Sequence, residues 1–310
     1  MAKRFLISRL SSLGDVVCSL PAASALKAAF PDCEVTWVVD PRFTGVVRSC
    51  SHVDSIVEAK PAAKSSTWPT FEGEFDAALD LQGLLKSALG IKNAKAKEKL
   101  GYHWQREGSW LFSGAVRPDP SSLHIVDQYV DVARAAGGVA DRADFGMSPT
   151  AEAQEWLATR ADLPEKYIVL NAGAGWVTKR WPADSFARLI EKLADAGWRC
   201  VLIGGPAAAD REVAEEIKRT CRAEFVGWVG QTNVEQLIAV ISRASAHVGG
   251  DTGSSHLAAA LNIPAIGLYS ITRPVRSCPY GQIERCLYNP SGLKHIEVES
   301  VAEKLFEVLP

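Results

Sequence analysis

The chain has 310 residues, 47% of them hydrophobic and 23% charged, and a formal net charge of −2. That length fits two domains of about 150 residues better than one core, and the near-neutral charge argues against a general nucleic-acid binder. Seven cysteines without a CxxC pair disfavour a zinc site and a disulfide framework.

The segment Phe5-Leu6-Ile7-Ser8 reads as a short buried strand, running through the turn Ser11-Ser12-Leu13-Gly14 into an apolar-periodic helix that reaches Ala29. Arg9 interrupts this apolar stretch, so it lacks the uninterrupted core of a signal peptide. No run reaches the length of a membrane span, and the expected location is cytoplasmic. Strands follow at Val35–Val39, near Ile56-Val57 and over Phe75–Leu81, with helical stretches between or after them. A polar stretch from Gly137-Gly138 to Pro149 marks the expected boundary, giving lobes of 1–150 and 151–310. Ala62–Ser66 reads as a surface loop.

The second half restarts the alternation. Strands are expected at Tyr167–Leu170, Cys200–Ile203, Ala246–Val248 and Ala265–Leu268, with helices from about Ala183 to Ala196, Ala209 to Thr220, Val234 to Ser242 and Gly253 to Leu261. A last helix, Val298 to Val308, carries an apolar stripe of Val298, Val301, Leu305 and Val308. Alternating strands and helices imply an α/β fold with parallel, covered sheets, whose ligands bind beyond the carboxyl ends of the strands.

Four such loops hold the candidate chemistry. In Gly250-Asp251-Thr252-Gly253-Ser254-Ser255-His256, small residues let an anion approach a helix start, where amides carry partial positive charge. Asp251 either orients a sugar hydroxyl or holds the turn, and His256 either faces the same ligand or is simply packed. The loop Asn171–Pro182 offers glycines and Lys179 for a leaving phosphate, or a solvated Lys-Arg pair before a helix. After Gly204-Gly205-Pro206, Asp210 could accept ribose hydroxyls, although a negative first helical turn is equally expected. Asp15, beside Gly14, is placed to act as a general base on an acceptor hydroxyl or as a first-turn carboxylate. Lys86 and Arg106 could bind an anionic acceptor.

Taken together, Ser11-Ser12-Leu13-Gly14-Asp15-Val16, Leu81–Ser87, Lys179-Arg180-Trp181-Pro182, Gly204-Gly205-Pro206 and Asp251–Ala258 resemble glycosyltransferase family 9, the ADP-heptose:lipopolysaccharide heptosyltransferases. The resemblance implies a GT-B fold: two Rossmann-like doubly wound lobes facing across a cleft, with the last helix crossing back to the first lobe. It implies inverting, metal-independent transfer of L-glycero-D-manno-heptose from ADP-heptose, with no cofactor and with Asp15 as base. Donor contacts fall to Lys179, Asp251, Thr252 and Gly253, with Ser254 and His256 following. Ser12, Gly14, Asn171, Asp210 and Thr232 complete the donor set. The stretches Asp80–Ala88 and Tyr102–Arg106 are most similar to the heptosyltransferase I branch, whose acceptor is Kdo-lipid A. Lys86, Arg106 and His124 would meet that acceptor, and Arg42, Trp68, Trp104 and Trp110 the inner face of the cytoplasmic membrane. The chain departs from that branch at Ala172–Gly175, where adjacent threonines are usual, and at Ala207–Ala209, where a carboxylate is. A heptosyltransferase II-like enzyme, a nucleotide-sugar epimerase of the same architecture and a non-catalytic nucleotide-sugar binder are the alternatives.

Overall fold

The structure, a computed structural model, describes residues 2–60, 68–173 and 180–310. The surface loop expected at Ala62–Ser66 lies outside the described residues. The chain divides into two compact units, Met1–Ser148 and Pro149–Pro310.

The first unit runs β1 (Arg4–Ser8), α1 (Leu13–Ser19), α2 (Pro21–Ala29), β2 (Glu34–Val39), α3 (Thr44–Arg48), β3 (Ser55–Glu58), β4 (Glu74–Asp80), α4 (Leu85–Lys92), β5 (Lys95–Tyr102), β6 (Gly114–Val116) and α5 (Ile125–Ala135). All its strand pairings are parallel, in the order β3-β2-β1-β4-β5-β6. The helix expected to run unbroken to Ala29 is two helices, because Pro21 lacks the amide that would continue the ladder and suits the first turn of a new helix. β5 has no counterpart among the expected strands. Its sequence, Lys-Ala-Lys-Glu-Lys-Leu-Gly-Tyr, is buried only at its last two residues, so hydrophobic alternation is weak there.

The second unit runs α6 (Ala151–Ala158), β7 (Tyr167–Asn171), α7 (Ala183–Asp195), β8 (Arg199–Ile203), α8 (Ala208–Thr220), β9 (Val226–Gly227), α9 (Val234–Ser242), β10 (Ala246–Gly250), α10 (Gly253–Ala260), β11 (Ala265–Tyr269), α11 (Pro274–Ser277), β12 (Cys286–Tyr288) and α12 (Val298–Phe306). Its six parallel strands lie in the order β12-β11-β10-β7-β8-β9. Read from the opposite edge and counted from its own first strand, this repeats the first sheet's order, the arrangement of doubly wound nucleotide-binding folds. Ile168, Leu170, Leu202, Val248 and Ile266 are buried beneath Phe186, Leu189, Ile190 and Leu193 of α7.

The apolar stripe of the last helix has a cover within the second unit: Val298, Val301, Ala302 and Leu305 are buried in its core with α7. The Trp181 indole donates to the Ile296 carbonyl at 3.0 Å just ahead of the helix. Burying those four side chains against α7 satisfies the stripe within one unit.

Candidate active site

In each sheet the strand order reverses at one point, between β1 and β4 and between β7 and β10. Loops that leave the carboxyl ends of strands at such a point diverge to opposite sides and open a ligand crevice. The four loops there begin at Arg9, Leu81, Ala172 and Asp251. All four lead into stretches that hold candidate residues singled out by sequence pattern.

In the first unit Asp15 lies in the first turn of α1. Its Oδ2 accepts from the Ser12 amide at 3.1 Å and the Ser12 hydroxyl at 2.7 Å, so the helix-capping role is real. Its Oδ1 pairs with Arg9 Nη2 at 2.8 Å, a contact in which the aspartate side chain is 45% exposed and the arginine 6%. The capping contacts fall on one carboxylate oxygen and the ion pair on the other, which together fix the carboxylate plane. Arg9 is itself held, donating from Nη1 to the Leu81 carbonyl at 2.6 Å and lying over the Tyr129 ring.

The loop after β4 is stitched to the loop after β1. Gln82 Oε1 accepts from the Leu10 amide at 3.0 Å, and Lys86 Nζ donates to Ser11 Oγ at 3.1 Å. Asp80 Oδ1 receives the amides of Gln82 and Gly83. Burial pushes the Asp80 carboxyl up, against the opposing pull of Ser87, those two amides and Arg9. Gly83 has φ of +67°, and a Cβ there would stand 2.6 Å from the Trp104 carbonyl oxygen. Only glycine fits this close approach. Through it the Gly83 carbonyl accepts from the Arg106 amide and the Ser109 hydroxyl, which brings Lys86 and Arg106 to the same end of the sheet. The Arg106 guanidinium lies over Trp104.

His124, expected to meet the acceptor, stands at the start of α5. It is the N-cap of α5, its Nδ1 accepting from the Val126 amide at 3.2 Å, and it is buried. That nitrogen caps the helix start.

In the second unit three of the residues expected to hold the donor, Asn171, Thr252 and Ser254, form one polar network. Asn171 Nδ2 donates to Ser254 Oγ at 2.7 Å and Thr252 Oγ1 at 3.2 Å, and its Oδ1 accepts from the Gly173 amide. Ser255 Oγ donates to the Gly250 carbonyl at 2.7 Å, closing the turn. Gly253 opens α10, and Thr252, its N-cap residue, makes no side-chain capping bond. The first amides of α10 therefore keep the partial positive charge that favours an anion. His256 Nε2 lies 3.7 Å from Asp251 Oδ1, both side chains largely buried, so the histidine is packed against the aspartate.

Asp210 bridges the loops after β7 and β8. It pairs with Arg180 at 3.2 Å and accepts from the Gly205 amide at 2.9 Å, and a Cβ on Gly173 would meet its Oδ2 at 2.5 Å. Thr232 is half-buried beyond the edge strand β9. Lys179 lies outside the described residues, as do Ala174 and Gly175 of the altered loop.

Three residues of these half-sites escaped the pattern reading. Arg9 has a signal, a charge directly after a buried strand whose Phe5, Leu6 and Ile7 are apolar, but in the pattern it only interrupts the apolar stretch. Gln82 lies within the Leu81–Ser87 stretch, where the sequence alone gives it no role. His247, wholly buried on β10 with Nε2 2.9 Å from Ser254 Oγ, had none, since a lone histidine in an apolar strand is usually core.

Comparison with known proteins accords with this geometry. The model of glycosyltransferase family 9 (heptosyltransferase) matches residues 70–305. The lipopolysaccharide heptosyltransferase 1 of Escherichia coli K12 is 29% identical, covering 97% of this chain and 99% of its own. The lipopolysaccharide core heptosyltransferase OpsX of Haemophilus influenzae is 26% identical, covering 91% and 83%. The E. coli heptosyltransferase WaaC with ADP superposes with a TM-score of 0.80 at 26% identity, over 98% of this chain and 99% of that one. Two six-stranded parallel α/β units of this kind are the GT-B fold, and with a family model matched over most of its length the chain belongs to glycosyltransferase family 9.

Proposed function

We propose that the protein transfers L-glycero-D-manno-heptose from ADP-heptose, with inversion, to the Kdo region of the lipopolysaccharide inner core. Support for the donor comes from the family and from the similar enzyme WaaC, solved with ADP and with ADP-2-deoxy-2-fluoro heptose. Support for the acceptor class comes from relatives named as lipopolysaccharide heptosyltransferases.

The observation that carries the chemistry is Asp15: a carboxylate at the switch point, held by Arg9 and Ser12 yet open to solvent. In the proposed reaction Asp15 takes the proton of the acceptor hydroxyl as its oxygen bonds to the anomeric carbon. The bond from that carbon to the β-phosphate oxygen breaks, and ADP leaves with the electron pair. The open amides of α10, with Thr252, meet the developing charge on the diphosphate, which needs no metal. Lys179 takes the same role in this reading, and Asp251 orients the heptose. Lys86 and Arg106 receive the acceptor's anionic groups. The exposed Trp104, Trp110 and Leu111 near Arg106 suit transient contact with a membrane surface carrying that acceptor. No helix among the described residues is long and apolar enough to cross a membrane.

Asp15→Ala tests the reading. Loss of a general base lowers turnover by about 10²–10⁴-fold, and ADP affinity should stay within about two-fold because the donor network is on the other unit. A variant with wild-type turnover removes Asp15 from the reaction.

A further inference from the structure

His247 is wholly buried on β10, one of the two strands flanking the reversal of the second sheet. Its ring is given room by a glycine: a Cβ on Gly249 would stand 2.9 Å from His247 Cε1. Nε2 lies 2.9 Å from Ser254 Oγ, whereas Nδ1 has no hydrogen-bond partner. A neutral imidazole carries its hydrogen on one nitrogen only. On Nδ1 that hydrogen would be a buried donor without an acceptor. On Nε2 it is used, and only a lone pair goes unpaired, the lesser of the two costs.

That choice sets the direction of every hydroxyl at the start of α10. The amide of Asn171 is oriented by the Gly173 N–H at its Oδ1, so its NH2 group faces Ser254 and Thr252. Ser254 Oγ then accepts from both Asn171 and His247, and its own hydrogen must be donated, with Thr252 Oγ1 at 3.1 Å as the available acceptor. Thr252 Oγ1 accepts from Asn171 and Ser254, and its hydrogen is left to point outward. With the other tautomer the chain runs backwards, Ser254 donating to His247 and Thr252 to Ser254, and the outward hydrogen is lost.

We infer that His247, as the Nε2–H tautomer, is a positioning residue that, acting through Ser254, turns the Thr252 hydroxyl into a donor for an anionic phosphate oxygen at the start of α10. This rests on the donor reading above and deepens it. The helix start then presents hydrogens from Thr252 and from the first amides, a surface matched to a diphosphate and unmatched to a neutral ligand that must itself donate.

Nitrogen-15 NMR of the full-length protein, labelled at histidine and assigned by loss of one signal pair in His247→Gln, reads the tautomer directly. The expected result is a neutral Nε2–H ring from pH 5.5 to 8, with His256 as its nearest titratable neighbour and Asp251 beyond it. A hydrogen on Nδ1 overturns the inference. Calorimetry with ADP supplies the second arm. His247→Leu should weaken binding about ten-fold, while His247→Gln, whose amide can still donate to Ser254, stays within about three-fold. Circular dichroism identifies variants that have unfolded, and the wild-type NMR result stands without them. Equal ADP affinity of a folded His247→Leu and the wild type overturns the inference. Wild-type protein that does not bind ADP contradicts the donor reading itself. Inorganic pyrophosphate then decides the anion role: binding weakened by His247→Leu supports it, and no binding overturns it.

Discussion

The Arg9 guanidinium and the Asp15 carboxylate meet at 2.8 Å with the arginine buried and the aspartate half open. A buried guanidinium tied to the Leu81 carbonyl cannot follow the carboxylate if it swings, so the pair sets where Asp15 can reach. Arg9→Met should lower kcat by roughly ten-fold or more through misplacement of the base, with ADP affinity unchanged. Arg9→Lys, which keeps the charge without the planar fork, should recover part of the rate. Steady-state kinetics beside ADP calorimetry checks this, and a Met variant with normal kcat would contradict it.

Gly83 should tolerate no side chain. Gly83→Ala combines a left-handed backbone with a collision against the Trp104 carbonyl, costing roughly 1–3 kcal/mol of stability. Because this contact joins the Lys86 and Arg106 loops, KM for the acceptor should rise more than KM for the donor. Urea unfolding and separate titration of the two substrates measure both effects.

Asp210 is placed by Gly173, Arg180 and the Gly205 amide, a setting that suits contact with ribose hydroxyls. Wild-type protein should bind ADP more tightly than 2′-deoxy-ADP or 3′-deoxy-ADP by several-fold, about one hydrogen bond's worth. In Asp210→Ala that preference should shrink towards unity. A preference of the same size in both proteins would assign Asp210 to the turn alone.

His247 gives folding stability an acid limit. Burial, with a smaller contribution from His256, pushes its pKa down to about 3, whereas an unfolded histidine titrates near 6.5. Between those values the unfolded chain binds the extra proton, so stability is full above about pH 6.5 and falls as pH drops towards 3. From pH 8 to 5.5 the loss attributable to this residue is about 1.4 kcal/mol. His247→Gln should show a correspondingly smaller difference in urea unfolding between the two pH values. An unchanged difference would mean that the ring is hydrated or protonated in the folded state.

Much of this arrangement was legible from local pattern, and the rest depended on very short strands and on the partners that folding selects. The alternation of apolar strands with helices such as Ala183–Asp195 was enough to predict parallel α/β units, and small residues from Thr252 to Ser255 marked an anion-friendly helix start. β9 and β12, two and three residues long, are too short for any periodicity to register. The apolar stripe of the last helix was plain, but a stripe states only that something covers it. Its cover, α7, is more than a hundred residues earlier in the chain. Arg9, Gln82 and His247 act through partners 6, 72 and 7 residues away respectively, and only the folded loops show which partner each has chosen.

Heptosyl transfer is most directly tested by incubating the protein with ADP-heptose and Kdo-lipid A and following the acceptor by mass spectrometry. The account predicts a gain of one heptose, with stoichiometric release of ADP, and no gain with Asp15→Ala. An acceptor of unchanged mass in the presence of intact wild-type protein, or equal gain with Asp15→Ala, would contradict it.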